Sequence, residues 1–324
     1  MSGESGDDHA HAGHEPVQAE QVASYLLTDL SGIYLDGTMG PGGHAARMLK
    51  DLTKDARYIG LDRDIDAIKR ARARLSADHR VTFVHTDYRK LASVLNDLGI
   101  GEINGFLLDL GLSSVQLDDP SRGFAYRFDG PLDLRFDPST GISASDWLNS
   151  ATEEEIATAL KEYGEERHAK RMARMIVATR PTGINSTSDL TAIIRKISGH
   201  SGLEFGRSAA RVFQALRIVV NDELAAIPQA MNDAVDRLVD GGRMVIISYH
   251  SLEDRLVKTF MHEAARECNC PPAYPQCICG AKQRGVMVQR RAINPTEDEI
   301  KSNPRAKSAK MRVFERQSRL GGRR

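Results

Sequence analysis

Four short β-type runs alternate with helix-compatible segments near the start of this chain, and nothing else in it narrows the fold as far. The runs are Ile33 to Asp36, Arg57 to Asp62, Val81 to His85 and Gly105 to Leu110, preceded by a helical pattern near Val17 to Leu30. Strands alternating with helices imply a parallel sheet with helices on both faces. The alternation stops after Gln116. From there to about Phe136 the chain is rich in Asp, Gly, Pro, Arg and aromatics, and from Ser143 to Arg195 it reads as helix after helix. A single amphipathic helix is expected over Ala209 to Val239. The turn Asp240-Gly241-Gly242 then leads to a buried strand over Met244 to Ser248, and Met311 to Arg316 closes the series. The expected fold class is therefore α/β, with one discontinuous domain over 16–116 and 208–324 interrupted by a helical insertion over 117–207.

Composition bounds what such a chain can be. With 324 residues, 41% of them hydrophobic, it can bury a sizeable core, which excludes wholesale disorder. No apolar run approaches the roughly 20 residues of a bilayer helix, so no membrane span is expected. Residues 1–15 are small and polar and are expected to form a disordered tail, with His9, His11 and His14 solvated and no secretory signal. All four cysteines fall in one loop, which argues for a reducing, cytoplasmic setting. The net charge of zero hides thirteen Lys plus Arg against four acids between Lys282 and Arg324. That end is either a solvated basic tail or a dock for a polyanion.

The stretch Ile33 to His44 is a strand that runs at once into glycines at 37, 40, 42 and 43 and then into a helix. Glycines let the backbone take positive φ and let a ligand approach closely, while the new helix presents free N–H groups. A dinucleotide would bring its pyrophosphate here, against the carboxylate of Asp36. S-adenosylmethionine would bring an ammonium and a sulfonium, which Asp36 attracts. Asp62 ends the next strand, where an acid can accept both hydroxyls of a ribose, and Tyr88 follows the third strand, where it can meet an adenine. Each acid alone is as easily a turn residue or helix cap.

The fourth strand ends at Asp109, followed by Ser113 and Ser114. An exocyclic amine on a base is a weak nucleophile, and an acceptor such as Asp109, with Ser113, could orient it for in-line transfer. His250 ends a later inner strand and is a second candidate for the reacting end. Trp147, the one tryptophan, is a candidate for stacking on an extruded base, although most lone tryptophans are core residues. Gln214, Arg217 and Asn221 share one helix face at i, i+3 and i+7 and are candidates for sugar-phosphate contacts. Cys268, Cys270, Cys277 and Cys279 could enclose zinc, but the spacing is shorter than usual finger patterns, so a reduced loop and no metal are expected.

The motifs DGTMGPGGH, GLDRD, LLDLGLSSVQLDDPSRGFAYRFDGPLDLRFD, YGEER, FQALRIVVNDEL, SYHSLEDR and NPRAKSAKMRVFER together resemble the bacterial 16S ribosomal RNA cytosine-N4 methyltransferases of the MraW type. The resemblance runs from about His14 to Arg316. It implies a Rossmann-like class I methyltransferase sheet, S-adenosylmethionine as cofactor and N4 of a cytidine in the decoding centre of the small subunit as target. It also implies cofactor contacts from Gly42, Gly43, His44, Asp62, Tyr88, Asp109 and Gln116, to which the residue reading adds Asp36 and Gly40. Arg207-Ser208 replaces the family's usual His-Pro, and Tyr249 its usual Phe. A homodimer is left open. The rival classes are a nucleotide-dependent oxidoreductase on the same sheet, disfavoured by Asp36, and a non-catalytic RNA-binding module resting on the basic C-terminal end.

Overall fold

The computed structural model describes residues 16–199, 202–268, 270 and 283–317. The tail over 1–15 and Cys277 and Cys279 lie outside the described residues. Strands β1 (Ile33–Asp36), β2 (Arg57–Asp62), β3 (Val81–His85), β4 (Ile103–Asp109), β5 (Leu238–Ser248), β6 (Gly285–Met287) and β7 (Lys310–Arg316) form one sheet in the order β3-β2-β1-β4-β5-β7-β6. The first five are parallel, and β7 is antiparallel to both β5 and β6. Chain order reverses between β1 and β4, and at such a reversal the connections leave in opposite directions and open a crevice at the strands' carboxyl ends.

Successive side chains of a strand face opposite ways, so the apolar run of β4 feeds two cores. Phe106 and Leu108 pack under α4 (Leu91–Asp97), while Leu107 packs with the opposite layer. That opposite layer contains α1 (Ala19–Leu26), α2 (Gly43–Met48) and α3 (Ile65–Leu75). Helix α3 starts where the Asp64 carboxylate accepts from the Asp66 amide, and it buries Ala67, Ile68, Ala71 and Leu75 along one stripe.

Between β4 and β5 the chain forms the short α5 (Ser114–Asp118) and then α6 (Ala144–Ser150), α7 (Glu153–Glu162), α8 (Ala169–Thr179), α9 (Thr187–Ser198) and α10 (Gly202–Asn221). Reciprocal caps begin α6, α7 and α9, at Ser143 with Asp146, Thr152 with Glu155 and Ser186 with Asp189. These helices bury a third core of their own, from Phe124 to Leu216. Helix α10 crosses the boundary expected at 207, and its Ala209, Val212, Phe213 and Leu216 belong to the insertion's core.

The single helix expected over Ala209 to Val239 is in fact two, α10 and α11 (Glu223–Arg237). Asp222 breaks it at φ +50°. The buried Asn221 amide donates to Leu134 O at 2.7 Å and to Arg217 O at 2.9 Å, and its oxygen accepts from Phe136 N at 2.8 Å. That clamp anchors the insertion and lets Glu223 fold back onto Arg217 at 2.8 Å. Strand β5 also starts earlier than expected, because Gly241 at φ +78° carries Asp240-Gly241-Gly242 through as an irregularity of the β4 pairing. Helix α12 (Ser251–Ala264) follows β5, and α13 (Glu297–Ser302) precedes the turn at Pro304–Ser308.

Candidate active site

A cavity of about 670 Å³ opens at the carboxyl ends of β1, β2, β4 and β5, beneath the insertion. That size suits a small-molecule ligand. The glycine loop forms one wall, with Gly40 at φ +53° and Gly42 at φ +80°. A Cβ on Gly37 would meet Leu108 Cδ2 at 2.6 Å and Tyr88 Cβ at 2.9 Å, so only glycine lets β1 turn out here. Asp62 secures the loop, accepting from Gly40 N at 2.7 Å and from Asp64 N at 2.8 Å. Burial pushes the Asp62 carboxyl up to about 7.

Asp109 stands across from the loop. Its Oδ1 accepts from the Tyr249 hydroxyl at 2.8 Å, and its Oδ2 lies 3.3 Å from His44 Nε2. Its amide donates to Thr38 Oγ1 at 2.7 Å, which ties β4 to the glycine loop. Burial alone would lower the His44 ring, but the hydrogen bond and charge of Asp109, with Asp36 behind, outweigh it and raise the ring above its ordinary value. The other ring nitrogen, Nδ1, is buried with no hydrogen-bond partner.

His250 caps α12. Its Nδ1 accepts from Glu253 N at 3.4 Å, its Nε2 lies 3.1 Å from Glu253 Oε1, and Glu253 Oε2 accepts from Tyr249 N at 2.8 Å. Burial would raise the Glu253 carboxyl, yet His250 and Arg217 hold it below the usual range. Arg217 in turn pairs with buried Glu223, whose carboxyl burial pushes up. The end of the cavity past β5 is thus a connected set of charges linking α10, α11 and α12.

A model of the MraW methylase family matches residues 11–317. The chain belongs to the MraW methylase family. It is 46% identical over 307 residues to the ribosomal RNA small subunit methyltransferase H of Heliobacterium modesticaldum, covering 94% of this chain and 98% of that one. The protein of the same name from Heliobacterium mobile is 47% identical over 308 residues, with the same two coverages. The oxidoreductase reading falls with this assignment, and a methylase is an enzyme rather than a binding module.

The methylase's cavity fits S-adenosylmethionine. Its loop admits close approach, no Lys or Arg stands between Ile33 and Ala46, and Asp62 and Asp109 face the space together. The electrostatic case built on Asp36 needs correction. Asp36 is buried and does not line the cavity; it accepts from the Tyr58 hydroxyl at 2.9 Å and from Thr38 N at 3.0 Å. Burial pushes its carboxyl up as it does that of Asp62, and the carboxyls that face a ligand are those of Asp62, Asp109, Glu223 and Glu253.

The other expected residues divide cleanly. Gly40, Gly43, His44, Tyr88, Ser113, Gln116, Gln214, Arg217 and His250 line the cavity; Gly42 shapes the loop behind it. Ser113 Oγ accepts from Gln116 N at 3.2 Å as the cap of α5, and Gln116 Nε2 donates to Asp64 at 2.8 Å. Trp147 and Asn221 do not line it. Trp147 packs against the insertion core, and Asn221 spends its amide on the clamp at Leu134 and Phe136. Gln214 Nε2 donates to Tyr163 O at 2.9 Å, so on the face expected to contact sugar and phosphate its amide is turned to the insertion's backbone.

Sequence reasoning missed Tyr249, Glu253, Glu223 and Arg63 on the cavity wall. One signal was available: Glu253 stands three residues after His250, the spacing of a reciprocal cap. Among the described residues, no three His, Cys, Asp or Glu side chains cluster as a metal site, and no helix is long and apolar enough to cross a membrane.

Proposed function

We propose that this methylase transfers a methyl group from S-adenosylmethionine to the N4 amine of a cytidine in 16S ribosomal RNA. One observation carries the reading: Asp109 ends β4 at the point of strand reversal, faces the same cavity as the glycine loop and Asp62, and is held there by Tyr249 and His44. Gly40, Gly42, Gly43 and His44 would cradle the cofactor, Asp62 would accept its ribose hydroxyls, and Tyr88 and Gln116 would wall it in. When bound, the cofactor supplies an electrophilic methyl carried on a sulfonium.

The residues of the chain do the rest. The lone pair of an exocyclic amine is delocalised into the base, so the amine needs orientation and somewhere for its proton to go. Asp109 would accept a hydrogen bond from the amine, turn its lone pair toward the methyl and take the proton as the new N–C bond forms and the methyl's bond to sulfur breaks, with the neutral thioether as leaving group. His44 Nε2, 3.3 Å from Asp109 Oδ2, steadies the carboxylate through that change. Gln214 and Arg217 on the opposite wall would contact the nucleotide, and the insertion would grip the RNA around it. Ser113 shapes the wall by capping α5, and His250 holds α12 in place. The compartment proposed is the cytoplasm, where small subunits are assembled.

Labelled S-adenosylmethionine and small subunits from a strain lacking this enzyme test the reading. Label should enter one cytidine, recovered as N4-methylcytidine after digestion. Unlabelled intact subunits would remove the proposal.

A further inference from the structure

Asp118, the last residue of α5, is exposed, and two arginines from distant parts of the chain converge on its carboxylate. Arg127 Nη2 donates to its Oδ1, and Arg305 Nη2 lies 3.2 Å from Oδ1 and 3.3 Å from Oδ2. Arg305 is 187 residues further along the chain, in the turn after α13. Both arginines line the catalytic cavity, yet their side chains are 53% and 37% exposed, which puts them at its open end. The Arg127 guanidinium also lies over the Phe128 ring, 4.7 Å from its centroid, so its plane is steadied.

Ion pairs this exposed contribute little to folding, about 0–1 kcal/mol. Stability therefore does not account for two guanidiniums meeting on one carboxylate at the mouth of a reaction chamber. A carboxylate and a phosphodiester present the same thing to a guanidinium fork: two oxygens sharing negative charge in one plane. A base can enter the cavity only if its nucleotide leaves the stack, and the phosphates flanking that nucleotide then stay at the mouth.

We propose that Arg127 and Arg305 form a phosphate clamp for the RNA strand flanking the target cytidine, with Asp118 as its resting occupant. The inference rests on the RNA reading above and adds where the backbone is held. RNA binding exchanges one anion for another: the phosphate enters and the Asp118 carboxylate swings out to solvent. Asp118 keeps the clamp assembled and weakens its hold on other anions.

The sign of one substitution decides the matter. Asp118→Asn removes the charge of the resting carboxylate without removing a donor, so KM for small subunits should fall by about threefold, the scale of an exposed ion pair. Arg127→Gln and Arg305→Gln should each raise it by on the order of tenfold, the scale of a charged hydrogen bond. The dependence of log KM on log salt should flatten by about 0.7 to 0.9 for each arginine removed and steepen for Asp118→Asn. Affinity for S-adenosylhomocysteine, read by calorimetry, reports whether each variant keeps its cofactor pocket. Should Arg305→Gln lose it, Asp118→Asn and Arg127→Gln still decide. Wild-type protein that fails to methylate subunits removes the RNA reading itself. Active wild type with Asp118→Asn raising KM, as the arginine changes do, makes Asp118 a strut and overturns the clamp, as do wild-type KM and salt slope in all three variants.

Discussion

The carboxyl ends of β1 and β2 and those of β4 and β5 border the same cavity, but they hold their acids by different means. At the β2 end, Asp62 is fixed by two backbone amides, and burial pushes it up to about 7. Past β4, the Asp109 carboxylate is held by side chains alone, Tyr249 and His44, while Glu253 past β5 combines the Tyr249 and His250 amides with the His250 ring and stays below the usual range. Backbone amides come with the loop's path, so they survive most substitutions nearby. A side-chain network lasts only while each member is present. The cofactor end should therefore be the forgiving half of the site and the transfer end the brittle one.

The largest effect should come from Asp109→Asn, which keeps the shape but removes the proton acceptor. We expect turnover to fall by on the order of a thousandfold. Affinity for S-adenosylhomocysteine should change far less, which single-turnover assays beside calorimetry would establish. Next is Arg217→Met, which leaves Glu223 and Glu253 buried without their shared cation. The expected cost is about 3 to 5 kcal/mol in urea unfolding. It should shrink as pH falls, because protonating Glu223, already pushed up by burial, removes one of the unpaired charges.

The cofactor end should respond to pH instead. If ionised Asp62 accepts the ribose hydroxyls, S-adenosylhomocysteine binds more tightly as pH rises through about 7 and levels off above it. Without ligand the sign reverses. A carboxyl raised in the folded state binds its proton where the unfolded chain has lost its own, so its contribution to stability declines from about pH 4 to about 7. Asp62→Asn should flatten the pH dependence of binding and weaken it by about 1 to 3 kcal/mol. Tyr249→Phe comes after it. Losing one donor to Asp109 should lower turnover about fivefold, near 1 kcal/mol, with cofactor affinity kept. An equal loss in both would mean that the hydroxyl serves the pocket's shape and not the carboxylate.

The same division explains what the sequence made legible. Parallel strands carry their ligands at their carboxyl ends, so Asp62 and Asp109 could be found by locating strand ends. Strand position does not say which way a terminal side chain leans. Asp36 ends β1 just as plainly, but it turns under the loop to Tyr58, a partner 22 residues away that periodicity does not reveal. The face of Gln214, Arg217 and Asn221 was expected to contact sugar and phosphate because amphipathic spacing separates polar from apolar and says nothing of another segment packing on the polar side. The break at Asp222 was hidden for a similar reason, since it is set by the Asn221 clamp on Leu134 and Phe136. Closure of the cavity by its far ends was equally out of reach. Gln18 N donates to Glu299 Oε1 at 2.5 Å across 281 residues, a pairing with no local signature.

The smallest expected effect concerns Trp147, where two readings of one residue part company. A tryptophan that stacked on an extruded base would supply about 1 to 3 kcal/mol of binding, and its loss would raise KM for small subunits by tenfold or more. Here Trp147 lies partly buried against the insertion core and outside the cavity lining. Trp147→Phe keeps an aromatic ring in that packing and removes only part of its volume, so it should cost no more than about 1 to 2 kcal/mol of stability and leave KM unchanged. As the chain's one tryptophan it also reports on itself. Its fluorescence should follow unfolding of the insertion and stay constant when small subunits bind, whereas quenching on binding, together with a raised KM in the variant, would return it to the RNA surface.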